Sequence, residues 1–114
     1  MRHVLVLDLV DDEAAIAAYR EWHRPGGPPE AITRAIRESG IASMEIWQAG
    51  DRLVMLMETT PAYDPTASAE RNAQDPDVRA WEMLMDKFQR RLPFAGPGEK
   101  WVATEQIYDL DAQP

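Results

Sequence analysis

The apolar positions fall into short runs and helical stripes. Val4 to Val10 is a nearly continuous apolar run, VLVLDLV, whose length and branched residues predict a strand covered on both faces. Asp11 and Asp12 precede AAIAAYREWH, and an alanine-rich stretch behind acidic residues predicts a helix start. Ile16, Tyr19 and His23 are spaced three and four apart, so they share one helix face. Arg24-Pro25-Gly26-Gly27-Pro28-Pro29 must then interrupt the helix. A second helical stretch runs from about Glu30 to Ser39, with Ile32, Ala35 and Ile36 on one face and Gly40 as its C-terminal cap.

Ile41 to Gln48 and Leu53 to Thr59 read as two strands, joined by the short hairpin connection Ala49-Gly50-Asp51-Arg52. In the second of them Leu53, Met55 and Met57 occupy one face, and Val54 and Leu56 the other. Both faces are therefore apolar. Pro61 to Gln74 is polar and rich in small residues, which suits a loop with some local helix. Asp75-Pro76 is a helix entry, a capping carboxylate followed by proline at the first helical position. Val78, Trp81, Leu84, Met85, Phe88 and Leu92 then trace one amphipathic face. Pro93 to Gly98 breaks the pattern, and Trp101 to Leu110 reads as a final strand.

Strand, broken helix, strand, strand, helix, strand is the order of an α+β, ferredoxin-like split β-α-β sandwich, here a single domain over residues 1–114. Helices cover only one face of such a sheet. The apolar residues on the other face predict a second copy of the chain against it, a homodimer of the dimeric α/β-barrel kind.

Composition narrows the chemistry. The chain carries 20 acidic and 12 basic side chains, a formal net charge of -8. That surface repels phosphate, so nucleic acid is not an expected partner. Cysteine is absent, which removes disulfides and thiol nucleophiles. With only His3 and His23 as imidazoles, a structural zinc site lacks its ligands. No apolar stretch approaches the roughly 20 residues of a membrane span. The N-terminus lacks the pattern of a secretory signal, which makes the cytoplasm the expected compartment.

No glycine-rich phosphate loop and no paired-histidine or serine-elbow motif occurs. Any enzyme chemistry here should need only proton transfer, with no metal and no other cofactor. His23 is the residue that suits it. It ends a helix face beside Tyr19, just before a Pro/Gly loop, and histidine titrates near neutral pH. A helix C-terminus favours its cationic form. Spacing alone favours a structural histidine hydrogen-bonded at the helix end over a catalytic one. His3, near the terminus, reads as solvated. Glu21 is offset from both Tyr19 and His23 and reads as surface. The four tryptophans, Trp22, Trp47, Trp81 and Trp101, suit stacking on the C–H faces of sugars, although core packing alone explains Trp81. The methionines read as core filler.

Tyr19-Arg20-Glu21-Trp22-His23-Arg24-Pro25, followed by Pro29-Glu30, resembles the tyrosine, histidine and proline-glutamate segment of the L-rhamnose mutarotase family. The likeness continues through Gly40 to Trp47, Leu53 to Glu58 and Asp77 to Asp86, and ends near Tyr108. It implies a dimeric ferredoxin-like protein that interconverts the anomers of a 6-deoxy-L-hexose by acid/base ring opening. Under it His23 matches the family's proton donor, Tyr19 a substrate-contacting tyrosine, and Trp81 the second of a tryptophan pair lining the sugar site. Two positions depart: Ala80 stands for the first tryptophan of the pair, and Met44 for a sugar-contacting tyrosine. These changes bear on sugar preference, between L-rhamnose and its stereoisomer L-fucose. The base is left open among a carboxylate, Tyr19 and water. Two other readings suit the same fold and a lone histidine: a monooxygenase of the dimeric α+β barrel class, and a non-catalytic domain that binds a small ligand.

Overall fold

The computed structural model describes residues 1–114. The first apolar run forms strand β1, Arg2–Leu9. It lies centrally because its length and two-sided hydrophobicity let strands flank it on both edges. Helix α1, Glu13–His23, starts where the Asp12 carboxylate accepts from the Ala15 N–H at 2.8 Å. The chain then turns back at Gly27, where a Cβ would collide with the Trp22 carbonyl, so only glycine lets the loop fold against the end of α1. Helix α2, Glu30–Glu38, follows. It ends at Gly40, whose φ of +97° is the left-handed conformation that glycine adopts freely.

Strands β2, Ile41–Ala49, and β3, Arg52–Thr59, form the expected hairpin. Helix α3, Pro65–Gln74, occupies most of the stretch read as a loop, capped by Asp64 with proline in its first turn. Helix α4, Pro76–Asp86, begins on Asp75, whose carboxylate accepts from the N–H groups of Asp77 and Val78. Two short strands complete the sheet: β4, Gln89–Arg90, and β5, Val102–Ala103. The strand order is β2-β3-β1-β4, all antiparallel, with β5 also on β1. This is the α+β, ferredoxin-like arrangement expected from the element order. No helix is long and apolar enough to cross a membrane.

Three expectations are corrected. The amphipathic stripe from Val78 to Leu92 is not one helix: α4 stops at Asp86, and β4 follows. No proline or glycine marks that stop. It is set by pairing of Gln89 with Leu9 and Arg90 with Asp8 on β1. The final strand is two residues long rather than the whole of Trp101 to Leu110. Ala103 faces Leu5 and Val102 faces Val6, so residues beyond Gln106 would pair with positions before β1 begins. They stay unpaired and end in a 3-10 turn at Leu110–Ala112. His3 is half-buried rather than solvated, with Nε2 3.0 Å from the Thr59 hydroxyl.

Register sorts the sheet residues into two faces. Leu5, Leu7 and Leu9 share the helix-covered face with Leu53, Met55 and Met57. Leu9, Tyr19, Leu53 and Met85 form one core cluster beneath the helices. Val4 and Val6 pair with Leu56 and Val54 on the opposite face. At the end of that face Asp8, almost fully buried, accepts from Arg52 at 2.8 Å and from Arg90 at 3.4 Å. The Arg52 hydrogen bond holds the Asp8 carboxyl below the usual carboxylate range, although burial opposes it. Arg90 also donates to Asp51 at 2.7 Å. These charges tie β4 to β1 and to the β2–β3 turn.

Candidate active site

A cleft of about 690 Å³ opens between the helices and the covered face of β2, a size within the range of small-molecule sites (roughly 300–1,000 Å³). All four residues singled out from the sequence, Tyr19, His23, Met44 and Trp81, line it. Gln89 and Trp101 line it as well.

Tyr19 and His23 converge because they are one helical turn apart on the inward face of α1. Their ring centroids lie 4.1 Å apart at an interplanar angle of 33°. The His23 Nδ1–H donates to the Tyr19 backbone carbonyl at 2.7 Å. A carbonyl can only accept, so this bond assigns the neutral imidazole's proton to Nδ1 and leaves the Nε2 lone pair free. Burial pushes the His23 pKa below the ordinary 6.5, outweighing the bond to the Tyr19 carbonyl, which raises it. His23 is therefore neutral at pH 7. That corrects the expectation of a cation at the helix end: desolvation in the cleft outweighs the helix terminus.

Trp81 reaches the cleft from α4, its ring 5.7 Å from that of His23. Trp22 meets the edge of Trp81 at 6.0 Å and 82°, buttressing it from α1. Tyr19 is almost fully buried. Its ring packs at 6.1 Å against Phe88, and its hydroxyl accepts from Gln89 Nε2 at 3.3 Å. Burial, only partly offset by the Gln89 bond, raises its pKa above 10.0, so the phenol keeps its proton. Met44 shares the covered face of β2 with Ile46, by their pairing with Met57 and Met55. Lys100 bridges Glu82 at 2.6 Å and Asp86 at 2.7 Å on α4, which anchors the segment carrying Trp101.

The arrangement offers one neutral imidazole with a free nitrogen, one protonated phenol, and walls of tryptophan and methionine. It suits proton transfer on a small, largely uncharged ligand. Glu21 is exposed and paired with Arg24, outside the cleft as expected. Of the tryptophans offered for sugar stacking, Trp81 and Trp101 line the cleft, whereas Trp22 only supports Trp81 from outside it. Gln89 was not anticipated. For Gln89 the sequence holds no signal, since its place on a strand arises from tertiary pairing.

A family model described as L-rhamnose mutarotase matches residues 2–110. The L-fucose mutarotase of Xanthomonas campestris is 50% identical over 105 residues, spanning 92% of this chain and 84% of that protein. A UPF0734 protein of Dictyostelium discoideum is 31% identical over 109 residues, spanning 92% of this chain and 86% of that protein. The crystal structure of an L-rhamnose mutarotase from Formosa agariphila superposes with a TM-score of 0.69 at 14% identity. That superposition covers 96% of this chain and 98% of the other, and shows a shared fold.

Proposed function

The chain belongs to the L-rhamnose mutarotase family and is a sugar mutarotase, and on that premise we propose that it interconverts the anomers of L-fucose, with His23 as the proton carrier. The observation that carries the role of His23 is its tautomer: Nδ1 is tied to the Tyr19 carbonyl, so Nε2 is free inside the cleft. Support for L-fucose comes from the 50% identical L-fucose mutarotase. Met44 is consistent with it, since it puts a thioether rather than a hydroxyl on the wall that would read the sugar's hydroxyls.

The chemistry follows from a neutral imidazole. Nε2 takes the proton of the anomeric hydroxyl. The electron pair left on that oxygen forms the aldehyde carbonyl while the bond from C1 to the ring oxygen breaks. The imidazolium returns its proton to the ring oxygen. Both oxygens are attached to C1, so one nitrogen reaches both in turn. Rotation about the C1–C2 bond turns the other face of the aldehyde to the C5 hydroxyl, and the same transfers in reverse close the ring. No proton is gained or lost overall. Trp81 supplies an apolar wall for the sugar's C–H face, and the Tyr19 hydroxyl orients the sugar's oxygens.

Saturation-transfer NMR on L-fucose and L-rhamnose between pH 5 and 8 tests this reading. Exchange between the two anomeric proton signals of L-fucose is accelerated more than that of L-rhamnose. The acceleration holds above pH 6.5 and falls on acidification, as the imidazole takes up a proton and loses its lone pair. Stability shifts in the same direction. The folded-state pKa lies below the unfolded one, so the contribution of neutral His23 is present above 6.5 and is lost as pH falls through the folded value. Equal acceleration of both sugars removes the L-fucose assignment, and a rate that rises on acidification removes neutral His23 as the first proton acceptor.

The same reading includes a homodimer. Val4, Val6, Val54, Leu56 and Val102 stay partly exposed on the sheet face that carries no helix, and Trp47 beside them is 60% exposed. A second copy applied across a two-fold axis would cover this apolar face. Light scattering should give twice the 12.9 kDa chain mass, and Leu56→Lys should shift the protein to the monomer mass. A monomer mass for the unmodified chain excludes this assembly.

A further inference from the structure

We infer that Gln89 is a positioning residue for the anomer exchange: its side-chain amide donates to the Tyr19 hydroxyl oxygen and so turns the phenolic proton toward the sugar. This rests on the reading that the cleft of Tyr19 and His23 is where the sugar binds. Gln89 Nε2 lies 3.3 Å from Tyr19 Oη, the one hydrogen bond that this hydroxyl makes to the protein. A phenol carries a single proton. With its oxygen already accepting from Gln89, that proton is directed elsewhere, and the cleft that Tyr19 lines is where a polar partner would sit. Tyr19 thereby becomes a hydrogen-bond donor of fixed direction.

Two further observations favour this role over a purely structural one. The Gln89 carbonyl oxygen Oε1 is buried and has no protein partner, whereas amides that serve only the fold are usually bonded at both ends. An apolar side chain would fill the same space without leaving that oxygen unpaired. The backbone beneath Gln89 is also held firmly. Gln89 pairs with Leu9 on β1, and the next residue, Arg90, is clamped by Asp8 and Asp51. Gln89 points to the cleft side of the strand while those ion pairs hold its neighbour on the other side.

The test is a double-mutant cycle on L-fucose anomer exchange, read as kcat/KM by saturation-transfer NMR, with thermal melts to confirm folding. Gln89→Met keeps the volume and removes the donor. It is expected to lower kcat/KM about tenfold, with Tyr19→Phe lowering it at least as much. The double variant should be no worse than Tyr19→Phe alone, because Gln89 acts through Tyr19. Gln89→Glu reverses the polarity, since the introduced carboxylate can only accept and takes the phenolic proton for itself. Its rate should lie below that of Gln89→Met at pH 8, where the introduced carboxylate is ionised and the imidazole is neutral in both variants. Multiplying losses in the double variant overturn the inference, as does Gln89→Met within about twofold of the unmodified enzyme while Tyr19→Phe is impaired. A Gln89→Glu rate at pH 8 that is no lower than that of Gln89→Met overturns it as well. If Tyr19→Phe itself exchanges L-fucose normally, the cleft reading fails and the role of Gln89 fails with it.

Discussion

His23→Ala lowers the L-fucose anomer exchange rate by about 10²–10⁴-fold while leaving a folded protein. That range is the usual contribution of a positioned acid/base group, and no second imidazole lies in the cleft to replace it. His3, the only other histidine, is bonded to Thr59 and stacks edge-on against Tyr63 at 6.2 Å, outside the cleft lining. The stability cost is modest, because His23 is half-buried and makes one hydrogen bond, to the Tyr19 carbonyl. A lost bond of this kind costs about 1 kcal/mol. Exchange measured by saturation-transfer NMR, beside a thermal melt, separates the two effects. Exchange within about threefold of the unmodified enzyme would remove His23 from the chemistry.

Much of this site was legible because its parts are encoded locally. The three- and four-residue spacing of Ile16, Tyr19 and His23 needs only α1 to form, and Asp12 supplies its cap. Asp75-Pro76 likewise starts α4 and brings Trp81 to the cleft. The hairpin that places Met44 is encoded by local turn and alternation signals, but its residue type reads as core filler, and only the family resemblance points to it as a site residue. What was not legible depends on partners distant in sequence. The end of α4 at Asp86 and the two-residue strand after it are imposed by pairing with β1, about 80 positions away, and no local residue type announces them. Trp101 to Leu110 has strand-like content, but β1 begins too late to pair with its far half. The protonation of His23 is a similar case. A helix C-terminus argues for a cation, and only the assembled cleft supplies the desolvation that reverses it.

The same distinction between local signal and tertiary support sets the stability of the site. Leu9→Ala is expected to destabilise the protein by about 2–5 kcal/mol, the range for large-to-small changes in a packed core. Leu9 is fully buried in the cluster with Tyr19, Leu53 and Met85, against which Trp81 and Phe88 pack. It also pairs with Gln89 in the sheet. Truncation leaves a cavity directly beneath the residues that shape the cleft. For a domain of this size the loss corresponds to a fall in Tm of about 10 °C or more. Met83→Ala is the matched comparison: Met83 lies on α4 but is 71% exposed, so its truncation should stay within about 0.5 kcal/mol. Thermal denaturation of the two variants decides the matter. If Leu9→Ala melted within a few degrees of Met83→Ala, the cluster beneath Tyr19 would not be the support that holds the cleft.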